Sequence, residues 1–216
     1  MLINNITFKN REDAAQQLLE VLPIKDMIQE DWIILATSAG AVPIALVISK
    51  VLNASFDFIF TQKVFTPKNN DCEIAIITET GEIVIHEELL KSFSLKLEDI
   101  YRDIDTKYEN DLKSYKAKYR NSLDIIELEN KNVLLIDEGL NTGLTMMACI
   151  KSVINEKAKS ICVAVPVLPE VTIHDIETIA DDLYYVDAPA HFVSIDFYYE
   201  NLEKITLDEI NILKGK

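Results

Sequence analysis

Leu134-Leu135-Ile136-Asp137-Glu138-Gly139-Leu140-Asn141-Thr142-Gly143-Leu144-Thr145 carries an apolar run straight into two acids and then into a glycine- and threonine-rich turn. Val133 to Ile136 is apolar and partly β-branched, which reads as a buried strand, and Met146 to Ile154 has the apolar spacing of a helix. The turn between them suits an anion. Gly139 and Gly143 let backbone N–H groups approach a phosphate closely, and the helix start adds unpaired N–H groups and the positive end of its dipole. Thr142 and Thr145 add hydroxyl donors. Asp137 and Glu138 would repel a phosphate, so they suit ribose hydroxyls or a magnesium ion. One loop therefore offers partners to both halves of a phosphorylated ribose.

Working outward, Trp32 to Ala36, Phe56 to Thr61, Ile161 to Val165 and Leu183 to Val186 read as further strands. Between them lie helical patterns. Ala41 to Leu52 is apolar nearly all round, Val171 to Ala180 is a second helix, and Arg11 to Leu22 places Ala14, Ala15, Leu18, Leu19 and Leu22 on one face behind an Asn10 N-cap. This alternation predicts an α/β fold: a parallel sheet flanked by helices, with ligands outside the carboxyl ends of its strands. Two segments break the pattern. Glu73 to Ile77 and Glu82 to Ile85, joined by Thr78-Glu79-Thr80-Gly81, predict an antiparallel hairpin that could serve as a flap. Leu97 to Arg120 predicts a long charged helix with Tyr101, Ile104, Tyr108, Leu112, Tyr115 and Tyr119 on one face. Packing of that stripe against the rest of the chain, or against a second subunit in a homodimer, is favoured over a role in stacking a nucleobase.

The chain has 216 residues, enough for a single domain spanning 1–216 with one well-filled core. With 21 basic and 36 acidic residues the formal charge is −15, which argues against nucleic acid and acidic membrane surfaces as partners. An anion site in such a chain must draw on backbone amides, a bound cation and a few placed lysines. Cys72, Cys149 and Cys162 stand far apart and read as reduced, packed thiols. Ala41 to Leu52, interrupted by Lys50, is too short to span a bilayer, so a cytoplasmic location is expected.

With strand, acid pair, Thr-Gly-x-Thr loop and helix in order, the segment resembles the phosphoribosyl-pyrophosphate signature of the type I phosphoribosyltransferases, commonly VDDGIATGATM and here IDEGLNTGLTM. Asp31 to Lys63 is similar to the region of one bacterial subgroup that runs from the first core strand through a PRGGVP-type loop and a helix to a second strand ending in a basic residue. In that loop this chain has Thr37-Ser38-Ala39-Gly40-Ala41-Val42-Pro43. The hairpin followed by Glu87-Glu88-Leu89, the charged helix, Ala164-Val165-Pro166-Val167 and Phe197-Tyr198-Tyr199-Glu200-Asn201 extend the likeness over nearly the whole chain.

The resemblance implies a hairpin flap and long helix at about 73–120, a small hood at about 168–200, and reaction at the anomeric carbon of phosphoribosyl pyrophosphate. Pyrophosphate would leave and an acceptor, such as a nucleobase nitrogen, would take its place. Asp137 and Glu138 would face the ribose. Gly139, Leu140, Asn141, Thr142, Gly143 and Thr145 would bind the phosphoribosyl group, and Thr37, Ser38, Ala39 and Gly40 the pyrophosphate. Magnesium would be held mainly by substrate oxygens and waters, so no direct protein ligand is assigned. Lys63 is either a catalytic cation at a strand end or an ordinary solvated lysine.

Ser38 stands where the subgroup carries Arg, Ala39 replaces a Gly, and Glu138 replaces the usual second Asp. Loss of the guanidinium removes a fixed charge and a fork of donors, so Lys63, Lys68 or a partner subunit would have to compensate. The alternative is therefore a protein that keeps the fold, senses a phosphorylated ribose or nucleotide monophosphate, and has lost turnover. His86, His174 and His191 show no metal-ligand spacing, Ser38 lacks a G-x-S-x-G context, and Glu87 and Glu88 suit the first turn of a helix. The acceptor itself is not encoded in any motif.

Overall fold

The apolar runs assemble into a five-stranded parallel sheet, in a computed structural model that describes residues 7–66 and 69–214. Helix α1 (Arg11–Val21) begins at Asn10, whose side chain accepts from the Asp13 amide, and the short α2 (Ile24–Met27) leads to β1 (Trp32–Ala36). Helix α3 (Val42–Leu52) and β2 (Ser55–Phe58) follow, then β3 (Thr61–Thr66), β4 (Asn69–Thr78) and β5 (Ile83–Ile85). Next come α4 (Glu87–Ser92), α5 (Leu97–Lys107), a π-helical turn (Tyr108–Leu112) and α6 (Lys113–Arg120). Strand β6 (Asn132–Ile136), α7 (Leu144–Asn155), β7 (Ser160–Val167), α8 (Ile173–Glu177) and β8 (Asp182–Asp187) complete the sheet ahead of α9 (Leu207–Lys214).

The strand order is β2-β1-β6-β7-β8. From β1 the chain steps to one side, and from β6 it steps through β7 and β8 to the other. The crevice between β1 and β6 is thus the topological switch point, where open α/β sheets bind ligands. Register fixes what meets there: Ala36 pairs with Ile136, so the residues that follow, Thr37 and Asp137, emerge side by side.

Both faces of the sheet are covered, which explains why its strands read as continuous apolar runs. Ile34, Ala36, Leu134, Ile136, Cys162 and Ala164 point toward α1 and α3; Ile33, Leu35, Val133, Leu135, Val163 and Val165 point toward Met146, Cys149, Ile150 and Val153 of α7. All of β6 is buried, and each large aliphatic side chain there contributes roughly 1.5–3 kcal/mol. Burial pushes the Cys149 thiol well up and that of Cys162 to about 12, which keeps both as inert packed thiols. No helix among the described residues is long and apolar enough to cross a membrane.

Two expectations need correction. Phe56 to Thr61 is not one strand: β2 ends at Phe58, Ile59 and Phe60 are buried in the crossing, and β3 starts a second sheet. The expected hairpin exists as β4 and β5, with Gly81 at φ +89° in the turn, but β4 is longer and also pairs antiparallel with β3. This three-stranded sheet packs through Ile76 and Val84 on Leu144 and Ala148 of α7. The long helix is present, with a π turn that sequence periodicity did not reveal. Ile100, Ile104, Tyr108 and Leu112 follow in four-residue steps, which on a regular α-helix drift by about 40° each. The π turn is underwound and absorbs that drift, keeping Ile104, Leu112, Tyr115 and Tyr119 on the core. Tyr101 falls off the face and is exposed.

Candidate active site

The two loops leaving β1 and β6 face each other across one buried carboxylate. Asp137 is 6% exposed, and its oxygens accept from Thr37 Oγ1 at 2.7 Å, Ser38 Oγ at 2.5 Å and the Glu138 amide at 2.8 Å. Burial raises its pKa, against the pull of the Ser38 and Thr37 hydroxyls, the Glu138 amide and the field of Lys63. Ser38 is doubly engaged, since its Oγ also accepts from the Ala41 amide at 3.2 Å, just before α3 begins.

Glu138 is held differently. Arg11 Nε and Nη2 lie 2.7 Å and 2.6 Å from its Oε2, and Tyr199 donates its hydroxyl to the Glu138 carbonyl at 2.7 Å. Desolvation raises the Glu138 pKa despite the Arg11 guanidinium, and Asp137 adds a like charge. Gly40 supports this placement, because a Cβ there would collide with the Glu138 carboxylate. Gly40 therefore backs Glu138 and is not among the lining residues, whereas Thr37, Ser38 and Ala39 line the cleft.

The cleft has a volume of about 890 Å3 and is lined by every residue from Asp137 to Met146. Gly139, at φ +155°, and Gly143, at φ +76°, supply the backbone turns that open the loop. The amides of Gly139, Asn141, Thr142 and Gly143 donate to no acceptor among the described residues. Thr145 lies in the first turn of α7, where amides have no intrahelical partner. Leu140 differs from its neighbours, since its amide donates to the Val167 carbonyl at 2.9 Å and its side chain is buried.

Lys63 lines the cleft from inside β3 and pairs with Glu73 at 2.6 Å, so it is neither at a strand end nor a merely solvated lysine. Lys68 lies outside the described residues. No group of three or more His, Cys, Asp or Glu among the described residues is placed to hold a metal ion, and the three histidines stay apart. His86 caps α4, whose first turn carries Glu87 and Glu88 as expected. Sequence reasoning missed Arg11 and Lys204, and saw Tyr199 only within a family-like stretch: Arg11 and Tyr199 grip Glu138, and Lys204 lines the cleft.

Comparison with known proteins bears on the fold and the family. A Mycobacterium tuberculosis protein provisionally named a phosphoribosyl transferase is 24% identical over 203 residues, covering 94% of this chain and 45% of that protein; the same match is found in two strains. This chain therefore spans about half the length of those curated relatives. A solved protein of Thermus thermophilus superposes with a TM-score of 0.74 at 21% identity, over 95% of this chain and 96% of that one, which establishes the shared fold. The model of the phosphoribosyl transferase domain runs over residues 3–200, through both loops and every strand that carries them, so this chain belongs to that family.

Proposed function

We propose that the chain acts as one phosphoribosyltransferase-like domain that transfers the 5-phosphoribosyl group of phosphoribosyl pyrophosphate to an unidentified acceptor, for example a nucleobase nitrogen. The observation that carries this reading is the set of unengaged amides at Gly139, Asn141, Thr142 and Gly143 beside a buried carboxylate at the switch point. The 5-phosphate sits on those amides and on Thr142 and Thr145. Asp137 is the stabilising anion for the positive charge that develops on the ribose as the bond to pyrophosphate breaks, and its burial strengthens that interaction. Residues 73–120 act as the flap region and 168–200 as the hood.

The donor set fits magnesium that arrives with the ligand. Glu138 Oε1 accepts no hydrogen bond among the described residues and would meet its water shell, while no three-residue cage exists among the described residues to hold the ion by itself. When bound, magnesium supplies positive charge to the departing pyrophosphate. The chain's own contribution is to orient the ribose and to exclude water from the crevice.

A second reading, a phosphoribose- or nucleotide-sensing protein without turnover, is favoured by one observation: Asp137 engages both loop hydroxyls, and Arg11 engages Glu138. Calorimetry with phosphoribosyl pyrophosphate and magnesium, followed by pyrophosphate release over a panel of bases, separates the two. Binding with release supports the transferase, and binding without release supports the sensor. Thr142→Ala is expected to weaken ribose 5-phosphate binding about tenfold. Gly143→Val is expected to do so at least as strongly, because it forces φ +76° on a β-branched residue. Lys113→Ala, on the exposed helix, is expected to have no effect. Equal affinity in all three variants rules the loop out.

A further inference from the structure

We propose that Lys204 supplies the positive charge for the pyrophosphate end of the ligand that Ser38 cannot, and that Arg11 is the positioning residue that brings it there; this rests on the phosphoribosyltransferase reading above. Two lysines, Lys63 and Lys204, line the cleft among the described residues, against the acids Glu73, Asp137 and Glu138. Lys63 is already matched by Glu73 at 2.6 Å. Lys204 has no ion pair or side-chain hydrogen bond among the described residues, although the chain carries a net charge of −15. An unmatched, exposed lysine lining a cleft, in a chain rich in acids, is placed for an anion from outside.

The backbone around Lys204 is fixed by a chain of contacts that starts at the other end of the sequence. Thr7 and Phe8 donate their amides to the Tyr198 carbonyl at 3.0 Å and 2.9 Å, Glu200 donates to Phe8 at 2.8 Å, and Asn201 to Lys9 at 3.0 Å. The Phe8 and Tyr199 rings pack with their centroids 5.0 Å apart. Just beyond this seam, Arg11 forks: Nε and Nη2 hold Glu138 Oε2, while Nη1 donates to the Glu203 carbonyl at 2.7 Å. That carbonyl precedes Lys204 by one residue. Glu138 thus anchors the tail, through Arg11, so that the next side chain, Lys204, lines the same cleft as Ser38, which stands where the loop arginine is missing. The ammonium is a point charge, which suits pyrophosphate oxygens without the bidentate geometry of the lost guanidinium.

The test is calorimetry on the intact chain with two separate probes, pyrophosphate with magnesium and ribose 5-phosphate. Lys204→Ala, an exposed position where folding is not at risk, is expected to weaken pyrophosphate binding about 10- to 100-fold while ribose 5-phosphate affinity stays within about twofold. Lys204→Arg is expected to restore most of the lost affinity. Arg11→Met is expected to weaken pyrophosphate binding as well, and its loss and that of Lys204→Ala are expected to be less than additive in a double-mutant cycle, as one residue acting partly through the other requires. Unchanged pyrophosphate affinity in Lys204→Ala overturns the proposal, as does wild-type protein that binds ribose 5-phosphate but not pyrophosphate. Wild-type protein that binds neither probe removes the phosphoribosyltransferase reading on which the proposal stands.

Discussion

Asp137 illustrates how a single residue sets function against stability. It is buried, and the cost of desolvating its charge exceeds what Thr37, Ser38, the Glu138 amide and Lys63 return, so its pKa lies above the ordinary carboxylate value. The sign follows from linkage. A folded-state pKa raised above the unfolded one contributes stability that is fully present below the unfolded pKa and lost as pH rises through the folded pKa. At pH values above the unfolded pKa the folded chain therefore bears a cost at Asp137 that the unfolded chain does not. Asp137→Asn removes that cost while keeping an acceptor for one of the two hydroxyls. It is expected to raise Tm by roughly 2–4 °C near neutral pH, with the gain shrinking on acidification, while abolishing any pyrophosphate release. Thermal unfolding over a pH series checks this. A gain that grows as pH falls contradicts the assigned direction.

At the scale of elements, the long helix is fastened at its far end by one arginine. Arg120 Nη1 and Nη2 lie 2.7 Å and 3.0 Å from the two oxygens of buried Glu79, its Nη2 also donates to the Phe58 carbonyl, and its guanidinium lies 4.8 Å from the Phe60 ring centroid. Burial raises the Glu79 pKa, with Arg120 as the leading opposing influence. Arg120→Met leaves that carboxylate buried and unpaired, and is expected to cost about 3–5 kcal/mol near neutral pH. Because Glu79 can then fold as the neutral acid, the deficit is expected to shrink at lower pH, as urea unfolding at about pH 5 and about pH 8 will report. Arg120→Met combined with Glu79→Met is expected to cost less than the single change. Such contacts also mark what sequence could and could not reveal. The sheet, its flanking helices and the turn between β6 and α7 were legible, because apolar period and glycine placement encode them locally, from Val133 to Ile154. Strand β3 was not, because the run Phe58-Ile59-Phe60 continues the apolar pattern of β2 and hides the break. Arg11 was not either: it meets Glu138 across 127 residues, and a contact at that range leaves no periodicity behind.

For the molecule as a whole, a formal charge of −15 opposes the approach of a multiply anionic ligand such as the one proposed. On the proposed reading, the local site counters this with the unengaged amides of the loop after β6, the start of α7 and the two cleft lysines. The two influences act over different distances. The amides act in direct contact, beyond the reach of screening, whereas the net charge acts over a Debye length that falls from about 30 Å at 0.01 M salt to about 8 Å at 0.15 M. Added salt should therefore weaken the long-range repulsion more than the short-range grip. The association rate of ribose 5-phosphate is expected to rise several-fold over that range, opposite to the fall seen at sites that steer their ligands electrostatically. The dissociation rate is expected to change much less. Stopped-flow binding at fixed magnesium reads both. An association rate that falls with salt would mean that the potential at the cleft mouth is positive despite the surrounding acids, and that the lysines dominate approach as well as contact.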